Sequence, residues 1–304
     1  MLAMFPQRGS GKAGAAFGRW SGLTRGWRTG LRWVLLLGLL WLMLRWFEHR
    51  QIYFPTRTLE ATGHELGRPF EEVYVTASDG VRLHCWYFPS DAGSRRAGWA
   101  LLVCHGNGGN ISHRLALAEA LLRTGVSVLL FDYRGYGRSE GRPNEAGTYR
   151  DARAAYEWLR TRGHEPARIV AVGESLGGAV AAHLATEVPL AGLILMGAFT
   201  SIPDVGSELY PWLPVRWLAR TRYATREYLQ QTRVPVLILH SRTDELVGFH
   251  HAESNFAAVP GPKWLRELRG DHNESLADGE RITAAVEEFL KALEPVPVSD
   301  PSAL

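Results

Sequence analysis

The feature that most constrains the fold of this chain is a pentapeptide together with its flanks. Gly173-Glu174-Ser175-Leu176-Gly177 follows the short β-branched run Arg168 to Val172 and precedes the helix-forming stretch Ala179 to Ala185. A chain passing from a buried strand straight into a helix must turn sharply, and glycine tolerates both the cramped backbone and the close helix–strand approach. Between such glycines a serine hydroxyl is lifted clear of the sheet edge, the arrangement of a G-x-S-x-G nucleophile elbow. The pattern alone is weak evidence, and the chain carries its own control. Gly137-Arg138-Ser139-Glu140-Gly141 matches it as well, but a polar Gly-rich loop separates it from the strand Val126 to Phe131, and Pro143 follows instead of a helix. Ser175 is therefore the expected nucleophile and Ser139 a loop residue.

A serine hydroxyl attacks only when a base takes its proton and an acid orients that base. Asp244 lies just past the apolar run Val236 to Leu239, and His272 just past the next strand candidate, Trp264 to Leu268. Serine, then acid, then histidine, each on a loop beyond a strand, brings the three together at the carboxyl edge of a parallel sheet. Asp204, Glu245 and Asp271 are rival acids; His240, His250 and His251 are rival bases. His240 ends its strand, His250 and His251 read as helix-surface residues, and Asp271 reads as a loop-former. The loop His105 to Asn110 follows the first parallel strand, so the backbone N–H groups of Asn107 and Leu176 are the expected oxyanion donors. That loop carries no G-x-G-x-x-G fingerprint and no Lys-Ser/Thr pair, which disfavours phosphate binding. His105 is assigned no chemistry. No cofactor is expected, and no catalytic metal: there is no H-E-x-x-H or two-cysteine cluster, and adjacent His250 and His251 should diverge on a helix.

Strand candidates Ala100 to Cys104, Val126 to Phe131, Ile169 to Val172, Leu193 to Met196, Val236 to Leu239 and Trp264 to Leu268 alternate with helical stretches His113 to Arg123, Tyr149 to Arg160, Leu176 to Ala185, His250 to Ala258 and Glu280 to Leu293. This alternation predicts an α/β fold: a mostly parallel central sheet with helices on both faces, preceded by an antiparallel hairpin, Glu72 to Thr76 and Val81 to Phe88. One catalytic domain, 70–294, is expected, with a lid insertion at about 198–232. Trp212, Leu213 and Trp217 in that insertion can line an acyl pocket, or belong to a helix pair that never touches substrate. The sequons at Asn110 and Asn273 abut the proposed site, where a glycan would obstruct it, and are read as chance. Cys85 and Cys104 are read as buried free thiols, with a bridge as the alternative.

Charge is distributed unevenly. Seven basic residues, Arg8 to Arg45, precede the first acidic one, Glu48; without them the net charge of +3 becomes −4, which argues against a nucleic-acid partner. Trp33 to Leu44 is an uninterrupted apolar run, and a membrane span over 31–54 needs Arg32 and Arg45 to snorkel. No small-residue cleavage site follows, so a retained anchor is the reading, with an interfacial helix and a removed signal peptide as alternatives. The excess of positive charge before the run predicts a cytoplasmic N-terminus and an extracytoplasmic catalytic domain. Residues 1–30 then form a disordered basic tail, 55–69 a tether, and 295–304 a flexible C-terminal tail.

His105-Gly106-Asn107, Asn110 to Arg114, Asp132-Tyr133-Arg134-Gly135-Tyr136-Gly137-Arg138-Ser139-Glu140-Gly141, Ser175 to Val180, Thr200-Ser201-Ile202-Pro203 and Gly270-Asp271-His272-Asn273 resemble the membrane-anchored α/β-hydrolases related to alpha/beta-hydrolase domain-containing protein 13. The similarity covers roughly residues 50 to 293. It implies a serine hydrolase with Ser175, Asp244 and His272 as triad, a single-pass anchor, and a small acyl-ester or lipid-like substrate. It also puts Ser139 inside the family's structural aspartate-tyrosine-arginine-glycine loop. Ester, thioester and amide cleavage share one acyl chemistry, and a noncatalytic tethered scaffold is the alternative from another class. Oligomeric state is left open.

Overall fold

The computed structural model describes residues 20–294. The tail up to residue 19 and the C-terminal tail 295–304 lie outside them. The described chain divides after Ile52 into two units.

The first unit is one helix, α1 (Trp20–Ile52). Its stretch Thr29–Ile52 is long and apolar enough to cross a membrane, about 36 Å at 1.5 Å per residue against a hydrocarbon core of about 30 Å. The helix starts eleven residues before the expected position 31, inside the segment read as disordered tail. Helix propagation is cheap once the apolar turns have nucleated it, and no proline interrupts 20–30. Arg45 donates to Glu48 one turn on, at 2.5 Å, so its charge is paired within the helix.

The second unit begins at Tyr53. In chain order it contains β1 (Phe54–Pro55), β2 (Glu71–Thr76), β3 (Arg82–Phe88), β4 (Ala100–Cys104), β5 (Gly108–Gly109), α2 (Leu115–Leu122), β6 (Ser127–Phe131), α3 (Glu145–Thr161), β7 (Ile169–Glu174) and α4 (Leu176–Glu187). There follow β8 (Gly192–Met196), α5 (Ile202–Leu209), α6 (Val215–Leu218), α7 (Thr225–Gln231), β9 (Val236–Ser241), α8 (Phe249–Ala258), β10 (Lys263–Leu268), α9 (His272–Ser275) and α10 (Gly279–Leu293).

Eight strands form one sheet in the order β10-β9-β8-β7-β4-β6-β3-β2. The hairpin β2–β3 is antiparallel, β3 joins β6 antiparallel, and the rest are parallel. Strands β4, β6, β7 and β8 are buried at every position, which is why they read as continuous apolar runs and not as alternating ones. From β4 the chain goes first to β6 on one side and then to β7 on the other. The order therefore reverses at β4, and the crevice beyond the carboxyl ends of β4 and β7 is where such sheets bind ligands. Both cysteines are free and buried, so no bridge forms.

The helix ends at Ile52, two residues short of the expected span 31–54, and the segment from Tyr53 through the expected tether 55–69 packs on the body. Tyr53 is buried with its hydroxyl 3.0 Å from that of Tyr223, β1 pairs in parallel with β5, and a short 3-10 turn spans Gly63–Leu66. Aromatic surface and open backbone groups so close to the sheet are worth more paired than solvated.

Candidate active site

Ser175 stands between β7 and α4 at φ 51°, ψ −114°, a backbone region that a non-glycine residue occupies only when its surroundings impose it. Those surroundings are explicit. The Ser175 N–H donates to the Met196 carbonyl of β8 at 2.8 Å, and the Ser175 carbonyl accepts from Gly178 N–H at 2.9 Å. A Cβ at Gly177 would overlap the Cys104 carbonyl, and one at Gly173 would run into the Gly177 carbonyl and, at 2.5 Å, the Gly178 Cα. The two glycines are thus required by the closeness of α4 to β4 and β7. They let α4 seat low enough to force the turn that carries Ser175.

Loops beyond three strands bring three side chains together. His272 Nε2 lies 3.1 Å from Ser175 Oγ, and His272 Nδ1 lies 2.6 Å from Asp244 Oδ2. All three residues are buried. Asp244 is held by its own loop: Oδ1 accepts from the N–H groups of Leu246 and Val247 at 3.0 and 2.8 Å, leaving Oδ2 for the imidazole. Burial disfavours the ionised carboxyl, but the His272 contact and the Val247 N–H outweigh it, so Asp244 titrates below its ordinary value. An ionised Asp244 draws the proton to His272 Nδ1 and presents Nε2 to the serine as an acceptor. Two of the rivals have partners of their own, although His240 Nε2 also lies 3.5 Å from Asp244 Oδ2. Asp271 caps α9, accepting from Asn273 and Glu274 N–H, and His240 contacts the Val247 carbonyl at 2.7 Å, with burial holding its pKa down.

The loop after β4 is tied down carbonyl by carbonyl. His105 O accepts from Tyr133 Oη at 3.0 Å, Asn107 O from Tyr136 Oη at 2.8 Å and from Phe54 N–H at 3.0 Å, Gly108 O from Arg114 at 3.0 Å, and Gly109 O from Thr56 N–H at 3.1 Å. Gly106 O lies 2.7 Å from His105 Nδ1. Because a trans peptide is planar, holding the Gly106 carbonyl also sets the direction of the Asn107 N–H on the opposite side of the same plane. Burial pushes the His105 pKa down to about 3, which keeps the ring neutral with Nδ1 as donor. Leu176 is the first residue of α4, where backbone N–H groups have no partner within the helix.

Several of these holding residues escaped the sequence reading. Glu174 and Arg114 pair at 2.6 Å beneath the loop, with Glu174 almost wholly buried. A carboxylate at the end of a buried strand needs a cationic partner, and Glu174 is the residue in the sequence that signals one. β1 gave no signal, since two residues paired with two glycines carry no periodicity. Ser139 is fully buried; its hydroxyl donates to Asp132 O and accepts from His84 N–H, which makes it a loop residue as expected.

The insertion 198–232 folds as α5, α6 and α7. Trp212 and Trp217 stand 75% and 91% exposed and Leu213 is half-buried, so they do not wall an enclosed acyl pocket in this arrangement. The reason is local: Pro211 and Pro214 interrupt the insertion, and the four-residue α6 buries no residue. His251 departs from the helix-surface reading: it is buried, with Nδ1 2.9 Å from Thr200 Oγ1.

Residues 100–224 match the family model described as the alpha/beta hydrolase fold. The chain is 43% identical to an uncharacterized protein of Mycobacterium tuberculosis over 253 residues, covering 82% of this chain and 89% of that one. The chain belongs to the alpha/beta hydrolase family. Among its relatives in that family is the alpha/beta hydrolase domain-containing protein WAV2 of Arabidopsis thaliana, 33% identical, covering 69% of this chain and 75% of the relative. The resemblance carried by the motifs is thereby borne out, and so is the fold. Among solved alpha/beta hydrolase structures, an esterase of Pyrococcus furiosus superposes with TM-score 0.64 at 24% identity, covering 79% of this chain and 98% of that one. The esterase domain of a Rhodothermus marinus protein superposes with TM-score 0.55 at 26% identity, covering 74% and 97%. The protein is a hydrolase by family and takes a small-molecule substrate.

Proposed function

We propose that this hydrolase is a membrane-anchored serine hydrolase that cleaves acyl esters or thioesters through an acyl-enzyme. The observation that carries the reading is the continuous chain Ser175 Oγ, His272 Nε2 and Nδ1, Asp244 Oδ2, at 3.1 and 2.6 Å, on an elbow held in a strained backbone conformation. The esterase domain of the Rhodothermus marinus neighbour supports ester chemistry. Ser175 Oγ attacks the acyl carbonyl as its proton passes to His272 Nε2, and Asp244 stabilises the resulting imidazolium. The N–H groups of Asn107 and Leu176 receive the oxyanion. The imidazolium then protonates the departing alcohol or thiol, and water repeats the sequence to release the acid.

Retention of α1 as a single-pass anchor, with the basic tail in the cytoplasm, puts the body on the opposite side next to lipid-like substrates. Protease added outside sealed, right-side-out vesicles should then digest the body; complete protection would refute that topology. Ser175→Ala should abolish turnover of p-nitrophenyl esters and labelling by a fluorophosphonate while leaving the melting temperature within a few degrees. Labelling or turnover at the wild-type level in that variant would sink the catalytic assignment.

A further inference from the structure

Away from Ser175, the insertion meets α8 through a cluster that the acyl chemistry does not use. Glu208, near the end of α5, has Oε1 2.9 Å from His250 Nε2 and Oε2 3.2 Å from His251 Nε2. The three ligand atoms all lie within 4.8 Å of one another. Adjacent residues on a helix ordinarily diverge. Here His250 is at the start of α8 and its ring folds back over Gly248, where a Cβ would sit 2.8 Å from Nδ1 and Cε1; the two imidazole centroids come within 4.4 Å.

Hydrogen bonds behind His251 fix the orientation of its ring. Asp204 sits in a net of donors, Thr200, Ser201 and Arg216; burial opposes ionisation, but these outweigh it, so it is a carboxylate and can only accept. Thr200 Oγ1 is 2.8 Å from Asp204 Oδ2 and so gives its single proton there. His251 Nδ1 lies 2.9 Å from the same hydroxyl oxygen and accepts from the Thr200 N–H at 3.2 Å. The ring so held faces the Glu208 carboxylate with its Nε2.

We infer that Glu208, His250 and His251 form a site for a zinc-like divalent cation that staples α5 of the insertion to α8. Two imidazole nitrogens and a carboxylate are a donor set such ions prefer, with a fourth position for water. Ligand atoms about 2.0–2.2 Å from a tetrahedral ion lie about 3.4 Å apart, and the three here, within 4.8 Å of one another, reach that spacing by small side-chain shifts. The relay Asp204, Thr200, His251 Nδ1 supplies the outer hydrogen bonds that orient a metal-binding histidine. The inference is independent of the chemistry at Ser175.

The test uses the full chain in detergent micelles, stripped with chelator and titrated with Zn2+ by calorimetry, with Co2+ as a spectroscopic probe. One equivalent should bind, with visible Co2+ bands of a four- or five-coordinate ion. Glu208→Gln and His250→Ala, both at exposed positions, should each weaken binding at least tenfold, and Zn2+ should raise the melting temperature of the natural chain but not of these variants. Absence of saturable binding, or undiminished affinity in both variants, would overturn the site.

Discussion

Thr56→Pro tests whether the segment that follows α1 helps to hold the loop proposed to stabilise the oxyanion. Thr56 N–H donates to Gly109 O at 3.1 Å, and proline removes that donor. The residue before it is Pro55, already extended in β1, so the new ring adds little strain of its own. The Thr56 carbonyl keeps its bonds from Gly137 N–H and Asn110 Nδ2 at 2.9 and 3.0 Å, which retains the segment on the body. One backbone bond is worth about 1 kcal/mol of stability, or about 2–4 °C of melting temperature in a body of this size. The catalytic effect should be larger. A displacement of about 1 Å at a positioned group costs about 100-fold, and complete loss of one oxyanion donor sets a ceiling of about 1,000-fold. The remaining anchors, Phe54 N–H on Asn107 O and Arg114 on Gly108 O, absorb part of the slack. The expected result is a fall in kcat of about 10- to 100-fold with KM nearly unchanged. Steady-state hydrolysis of a p-nitrophenyl ester by the detergent-solubilised full chain measures it, with thermal melting as the control for folding. Thr56→Ala keeps the N–H and serves as reference. A kcat within about twofold of the natural chain, or equal losses in the proline and alanine variants, would refute the argument that this hydrogen bond positions the loop.

Two further outcomes follow from the same geometry. Asp244→Asn keeps the loop bonds from Leu246 and Val247 but removes the charge beside His272, and kcat should fall about 10³- to 10⁴-fold with the fold retained; a loss under tenfold would contradict the role given to Asp244. His105 is depressed to about 3 by burial, so its stabilising contribution is complete above the unfolded value near 6.5 and is lost as pH falls towards 3. Between pH 7 and 5 that loss is about 2 kcal/mol, read as a drop in the urea midpoint that His105→Gln should flatten; equal pH dependence in both proteins would count against a neutral buried His105.

The proposed catalytic constellation was legible because each part sits where local sequence and local structure agree. Val172 to Leu176 turns because glycine brackets it, and Asp244 and His272 follow strands whose apolar runs announce them. Their convergence needs only a parallel sheet, whose carboxyl edges collect successive loops on one side. Ser175 and Ser139 differ in the same way, since a strand and a helix flank the first and not the second. Element ends were less legible: α3 begins at Glu145, four residues before Tyr149, because Asn144 accepts from Gly147 N–H and caps it there.

By itself, then, the sequence determined the α/β class, the elbow, and the order and loop positions of the three site residues, all of which rest on patterns spanning a few neighbours. Tertiary structure alone decided that Phe54 and Thr56 bond the loop around Asn107, that Arg114 neutralises Glu174 beneath it, and that His250 and His251 converge on Glu208. It also decided that Trp212 and Trp217 face solvent. Such contacts join residues up to tens of positions apart, and no periodicity encodes them. They are set by the register of one strand against another and by how closely one helix can approach the sheet, quantities that exist only once the chain has closed on itself.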